Sequence, residues 1–316
     1  MKIVVLEAGV MTPGGLSLDP YNQFGEVTLY HTTKQEQVIE RIGNADAILL
    51  NKLIIDKTVM DACPNLKYIG LFATGYNTID VKYAAKKGIT VCNAGSYSTT
   101  AVAQHTFALI LNHFNQISNY VGAVRAGAWE KSELTTLYDF PTDELYGKTI
   151  GIIGYGNIGK RVAKLASAFD MKVLVHTRTP KEDGVATFVS LEELLNSSDV
   201  ISLHLPLTEE SRLIMNKETF SKCKKGAYFV NTARGGLVDE PALKRAVEDG
   251  ILSGAALDAI TVEPMRNCVL QGVENIVITP HAAWAPMSTR IKLLNITIDC
   301  IKGFLNGNPI NVVSKI

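Results

Sequence analysis

The sequence predicts an α/β protein built from two doubly wound parallel-sheet domains. Three observations carry that expectation. Short apolar runs alternate with helical patterns along the chain, one strand runs straight into a glycine-spaced turn, and 316 residues exceed what one compact core usually holds.

In the first third, Ile3–Leu6, Ala47–Leu50, Tyr68–Phe72 and Thr90–Cys92 read as strands. Helices are expected between them at Glu36–Ile42, Lys57–Cys63 and Asp80–Lys87. This rhythm implies parallel βαβ units. Ser98–His113 follows as a long helix, polar at Ser98 and Thr99 and apolar along Val102, Phe107, Leu109 and Leu111. Gly122–Tyr146 loses the periodicity and carries Trp129, Tyr138 and Phe140, so it reads as an irregular arm. Beyond the glycine turn, strands are expected at Lys172–Val175, Val200–Leu203, Ala227–Val230, Gly254–Leu257 and Ile276–Ile278. Helices are expected at Leu191–Asn196, Asn216–Cys223 and Glu240–Asp249, and a last helix at Met287–Phe304 precedes the tail Asn311–Ile316.

Composition narrows the function classes. Lys+Arg and Asp+Glu balance at 31 each, so no charge excess points to nucleic acid or an anionic membrane. No apolar run reaches spanning length, and Met1–Leu6 reads as a strand, not a leader. The five cysteines are odd in number, scattered and without a CxxC pair, which fits a reduced cytoplasmic setting with core thiols and no metal site.

The stretch Ile150–Lys160 holds the most information. An apolar strand enters Gly154-x-Gly156-x-x-Gly159, and an amphipathic helix follows through Ala166. Gly154 permits the tight turn, Gly156 lets backbone approach a pyrophosphate, and Gly159 lets the helix pack close to the strand. The helix N-terminus, entered through Asn157 and Ile158, offers N–H groups and a positive dipole end to that anion. With a strand before it and a helix after it, the turn reads as a dinucleotide site, not an ordinary glycine cluster. An NAD-specific site places an acid about 20 residues further on, at the tip of the second strand. Here that strand ends Val175-His176-Thr177-Arg178-Thr179, with Lys181 nearby and no carboxylate at the tip. Thr177 and Arg178 suit a 2′-phosphate, so NADP(H) is favoured and NAD(H) stays possible; a solvated loop cation is the plainer reading of Arg178.

Three further segments fall at expected C-terminal strand ends, where open α/β sheets bind ligands. They are Asn231-Thr232-Ala233-Arg234-Gly235-Gly236, Asp258 through Glu263-Pro264, and Thr279-Pro280-His281-Ala282-Ala283-Trp284. Singly, Arg234 could be a loop arginine, Glu263 a turn residue and His281 a helix cap.

Together with Asn93–Ser98, Glu144–Thr149 and His204-Leu205-Pro206-Leu207-Thr208, these segments make the chain resemble the D-isomer-specific 2-hydroxyacid dehydrogenases over essentially its whole length. Within that family it is similar to the glyoxylate/hydroxypyruvate reductase and glycerate dehydrogenase branch. The resemblance implies two Rossmann/flavodoxin-like domains with an active-site cleft between them. The substrate-binding domain would be 1–98 completed by 288–316, and the dinucleotide domain 99–287.

It also implies roles. Arg234 would fork onto the substrate carboxylate and polarise the carbonyl, and His281 would donate the proton as hydride arrives. Glu263 would orient His281 and favour its imidazolium. Cofactor contacts would come from Gly154, Gly156, Asn157, Ile158, Gly159, Thr177, Arg178, His204, Pro206, Thr232, Ala233, Asp258 and Trp284, with Asp258 accepting from the nicotinamide carboxamide. Bland alternatives stand beside three of these: a turn cap for Asp258, strand-end packing for His204 and core packing for Trp284.

Thr74 and Gly75 would complete carboxylate binding. Lys52 would face the substrate, though a surface lysine fits it as well. The Arg125–Trp129 segment resembles an arm that reaches a partner subunit, which favours a homodimer through 99–146 over an intrachain loop. The expected activity is hydride transfer between NAD(P)H and a small 2-oxo acid such as glyoxylate or hydroxypyruvate, giving the D-2-hydroxy acid. Two alternatives are a dinucleotide-sensing binding protein on the same fold and a formate-dehydrogenase-like enzyme. Formate has no keto or aldehyde carbonyl that must be protonated to a hydroxyl, so Glu263 counts against the latter.

Overall fold

The computed structural model describes residues 1–181 and 183–314. The chain divides into two compact units, Met1–Ser98 with Ala285–Ile316 and Thr99–Trp284.

The first unit contains β1 (Lys2–Val5), β2 (Glu26–Leu29), α1 (Val38–Ile42), β3 (Ala47–Leu50), α2 (Lys57–Ala62), β4 (Tyr68–Leu71), α3 (Val81–Lys86) and β5 (Thr90–Cys92). Its five strands are parallel in the order β2-β1-β3-β4-β5. Every residue of β3 and β4 is buried, as expected of central strands covered on both faces. Asp56 and Asp80 cap α2 and α3 by accepting from Val59 and Tyr83 N–H. Two details depart from the sequence expectation. β2 is a largely exposed edge strand whose residues, Glu-Val-Thr-Leu, form no apolar run. The expected helix at Glu36–Ile42 opens as a 3₁₀ turn over Gln35–Gln37 before α1 begins.

The second unit begins with α4 (Thr99–Asn115) and α5 (Ile117–Arg125). Then follow β6 (Thr149–Ile153), α6 (Asn157–Ala168), β7 (Lys172–His176), β8 (Thr187–Phe188), α7 (Leu191–Ser197), β9 (Val200–Leu203), α8 (Lys217–Ser221), β10 (Ala227–Asn231), α9 (Glu240–Glu248), β11 (Leu252–Leu257) and β12 (Ile276–Ile278). The chain then returns to the first unit as α10 (Met287–Leu305). The seven strands are parallel in the order β12-β11-β10-β9-β6-β7-β8. The order reverses between β6 and β9, the switch point where such sheets bind ligands.

Alternation along each strand sends side chains to two cores. Ile150, Ile152, Val200, Tyr228 and Val230 pack with Phe107 and Ile110 of α4 and Val162 and Ala166 of α6. Ile153, Ile201, Leu203 and Phe229 pack on the other face with Leu194, Phe220 and Leu243. The expected arm at Gly122–Tyr146 is corrected at its start, because α5 runs to Arg125. That helix buries no residue and leaves Ile117, Val121 and Val124 exposed, so its spacing carries no core signal to read.

Candidate active site

The glycine turn is built by close approach. Gly154 has φ +96, and a Cβ there would lie 2.6 Å from the His204 carbonyl oxygen, so the turn closes against the end of β9. A Cβ on Gly159 would overlap the Gly154 carbonyl. Gly156 differs: nothing stands within 4 Å of its Cβ position. It forms the N-cap of α6 without a side chain of its own, and Gly156 and Asn157 are exposed while Ile158 is half-buried. An exposed glycine backbone at a helix N-terminus is what a pyrophosphate requires, so these residues fit a dinucleotide.

Thr177, half-buried, stands directly after β7, and Arg178 beside it is exposed. Two acids missed by sequence spacing share this region. The Glu210 carboxyl is held below its ordinary range, first by Thr208 and its own backbone N–H and last by the charge of Arg178. The Tyr155 hydroxyl donates to Asp183 at 2.8 Å and holds that carboxyl low as well. At the end of β9, His204 Nε2 lies 2.9 Å from Ser202 Oγ. Burial pushes its pKa down to about 3, so this ring is neutral at any working pH. The Pro206 carbonyl accepts from Ser211 Oγ at 2.7 Å, which folds the following turn back on itself.

Three adjacent strand ends carry the remaining residues of this unit. Fully buried Asn231 donates to the Arg234 carbonyl at 2.9 Å and accepts from Ala233 N–H at 3.0 Å, clamping the loop. Arg234 Nη1 donates to the Ala233 carbonyl at 2.7 Å, and Thr232 Oγ1 meets Thr106 Oγ1 at 3.0 Å. A Cβ on Gly235 would overlap the Ile260 carbonyl. The loop bearing Arg234 therefore lies directly on the loop bearing Glu263.

Glu263 Oε2 and His281 Nδ1 are 2.8 Å apart, with side chains 22% and 27% exposed. Glu263 Oε1 also accepts from Ile260 N–H at 3.2 Å, which fixes the carboxylate to its own loop. Engaging Nδ1 turns Nε2 to the opposite side of the ring. His281 has φ +52, a left-handed conformation rare outside glycine, and its N–H reaches back to the Thr279 carbonyl at 2.9 Å.

Asp258 explains how that kink is held. Its carboxylate, 3% exposed, accepts from Thr279 Oγ1 at 2.6 Å, Ala282 N–H at 2.8 Å and Ala283 N–H at 2.9 Å. These bonds bracket His281 from both sides. The next residue, Trp284, is half-buried. Glu240, absent from the sequence reading, accepts from Thr261 N–H at 2.6 Å and steadies the Glu263 loop.

Lys52, Thr74 and Gly75 belong to the first unit. Glu7 accepts from the backbone N–H of Asn51 and Lys52 at 2.6 and 2.8 Å, and the Lys52 side chain is exposed. Thr74 Oγ1 donates to the Gly95 carbonyl, and the Thr74 carbonyl accepts from Asn93 Nδ2 at 2.7 Å. The turn is therefore tied to the segment after β5. Among the described residues, no group of three or more His, Cys, Asp or Glu could hold a metal, and no helix is long and apolar enough to cross a membrane.

Comparison with known proteins identifies the family. Residues 107–283 match the family model of the D-isomer-specific 2-hydroxyacid dehydrogenase NAD-binding domain. A hydroxypyruvate reductase of Blautia hydrogenotrophica is 40% identical over 322 aligned positions, covering 100% of both chains. A solved acyclic imino acid reductase in complex with NADPH and D-arginine superposes with a TM-score of 0.88 at 31% identity, covering 99% of this chain and 100% of its own. The D-lactate dehydrogenase of Aquifex aeolicus, complexed with NAD and lactic acid, gives 0.86 at 29% identity and covers 100% of each. With its glycine turn, its histidine–carboxylate pair and relatives matched end to end, this chain belongs to the D-isomer-specific 2-hydroxyacid dehydrogenase family.

Proposed function

We propose that this protein is an NAD(P)H-dependent oxidoreductase that reduces a small 2-oxo acid of the glyoxylate or hydroxypyruvate type to the D-2-hydroxy acid. The observation that carries this reading is the 2.8 Å pair of His281 and Glu263, at a strand end beside the Arg234 loop and in the same unit as the glycine turn. A reduced nicotinamide supplies the hydride when bound. Everything else falls to the chain. His281 Nε2, turned away from Glu263, holds the proton that the carbonyl oxygen needs as C2 is reduced, and takes it back in the reverse direction. Glu263 fixes the ring through its 2.8 Å contact with Nδ1 while that proton is held. Arg234 offers a planar fork to the substrate carboxylate and polarises the carbonyl. The Thr74–Gly75 backbone and Lys52 are further candidates for the carboxylate.

On this reading the unit Thr99–Trp284 is the dinucleotide domain and Met1–Ser98 with Ala285–Ile316 the substrate domain. Thr177 and Arg178 favour NADPH, although Glu210 offsets part of the arginine's attraction. Exposed Ile117, Val121, Val124, Leu134 and Tyr138 support homodimer formation through 99–146, and five free cysteines support a reducing compartment.

The test is a panel of 2-oxo acids assayed with both reduced dinucleotides. Turnover of glyoxylate or hydroxypyruvate with a lower KM for NADPH than for NADH is expected. Dinucleotide binding without turnover refutes the enzyme reading, and the reverse KM ranking refutes the NADPH preference alone.

A further inference from the structure

We propose that His105, on α4, is a positioning residue for the loop that carries His281. The inference rests on the catalytic reading of His281, but its structural half can be tested without turnover. His105 Nε2 lies 3.0 Å from Thr279 Oγ1 and 3.5 Å from Asp258 Oδ1, and the His105 side chain is 24% exposed.

The hydrogen-bond count sets the roles. A threonine hydroxyl has one proton, and Thr279 gives it to Asp258 at 2.6 Å. The 3.0 Å contact is therefore satisfied only if His105 carries its proton on Nε2 and donates it to Thr279. A directed chain results, from His105 through Thr279 to Asp258, and the same carboxylate collects the N–H groups of Ala282 and Ala283. His281 sits inside that loop with φ +52. Such a backbone persists only where its surroundings over-determine it. Asp258 supplies the bracket, and His105 supplies the proton that leaves Thr279 free to point at Asp258. Without this donor, Thr279 Oγ1 can turn toward another acceptor, and one side of the bracket opens. The ring of His105 reaches the loop through Thr279 and the Asp258 carboxylate that grips it, so it acts on the reaction by placing His281.

The experiment compares His105→Gln, His105→Asn and His105→Leu. Glutamine keeps an N–H donor near the Nε2 position, asparagine is polar but too short, and leucine has none. Active sites are counted by dinucleotide titration before kcat and KM are measured. Leucine and asparagine should lower kcat about tenfold or more, because small misplacements of a reacting group are costly, while KM for the reduced dinucleotide stays within about twofold. Glutamine should recover most of kcat. Thr279→Val should match leucine, and the double variant should lose no more than either single one, since both cut the same chain.

Imidazole NMR of the substrate-free protein gives the second readout. The His281 ring signal, assigned by its absence in His281→Ala, should shift or broaden in the leucine and asparagine variants and return in the glutamine variant. Unchanged kcat in both the leucine and asparagine variants, equal losses in all three, or an unmoved His281 signal would each overturn the proposal. If the wild type turns over no 2-oxo acid, the functional reading fails while the NMR comparison still decides this one. If leucine does not fold, the asparagine–glutamine pair carries the test.

Discussion

Two histidines of α4 place the same residue type in opposite surroundings. His105 and His113 stand eight positions apart, about 12 Å along the helix axis, and both turn toward the sheet. His105 meets Thr279 and Asp258 at the C-terminal ends of the strands. His113 meets the opposite end, stacked on Tyr228 at 3.8 Å and 8°, with Ser253 Oγ 3.1 Å from its Nε2. No carboxylate is among those partners, and burial pushes the His113 pKa down to about 4. The first ring is tied into a network of charge and backbone donors, and the second behaves as a neutral aromatic. One edge of the sheet spends its polar groups on placing other polar groups; the other uses a titratable ring as packing.

That contrast gives a rule that substitutions can break: changes at the strand-end edge should move activity more than stability, and changes at the far end the reverse. The largest effect is expected from His281→Ala, with kcat falling by about 10²–10⁴-fold while dinucleotide affinity survives. Steady-state kinetics with a binding titration would check it, and near-normal turnover would remove His281 from its role. Next comes Gly156→Ala. Nothing crowds a Cβ there, so the melting temperature should hold while dinucleotide affinity falls by about tenfold or more. A drop in melting temperature with affinity intact would mean that the space serves packing.

The smallest effect is expected from His113→Phe, which keeps the stack and loses the titration. The folded pKa of His113 lies below its unfolded value, near 6.5, so the unfolded chain binds more protons between about pH 6.5 and 4. Its contribution is complete above about pH 6.5 and is lost as pH falls toward 4. After allowance for partial exposure the loss is on the order of 1–2 kcal/mol. Melting curves across that range should show a shallower acid limb for phenylalanine, with kcat unchanged at pH 7. Identical acid limbs would mean that the ring is not desolvated.

Much of this was legible in the residues. The buried parallel strands β3, β4, β9 and β10 were found because a strand covered on both faces is apolar along most of its length, even where Ser202 and Asn231 interrupt the run. The edge strands β2 and β8 and the exposed helix α5 escaped for the complementary reason, since elements that bury little impose no pattern. Within the site, Arg234, Glu263 and His281 stood at expected strand ends but took their roles from the family resemblance, since each alone also fits a loop or cap. Glu240 and His105 were not legible, because each lies inside a helix whose sequence reports only the helix.

The amino-acid sequence by itself determined the alternation of strands and helices, the glycine spacing of the turn and the chemical types available at each strand end, because local sterics and apolar periodicity are written residue by residue. Only the tertiary structure decided that Asp258 would grip both flanks of His281, that Glu263 would face Nδ1, and that one histidine of α4 would serve a polar network while the other lay against tyrosine. Those outcomes depend on which groups from distant segments meet and how much water they exclude, and no stretch of chain carries that information alone.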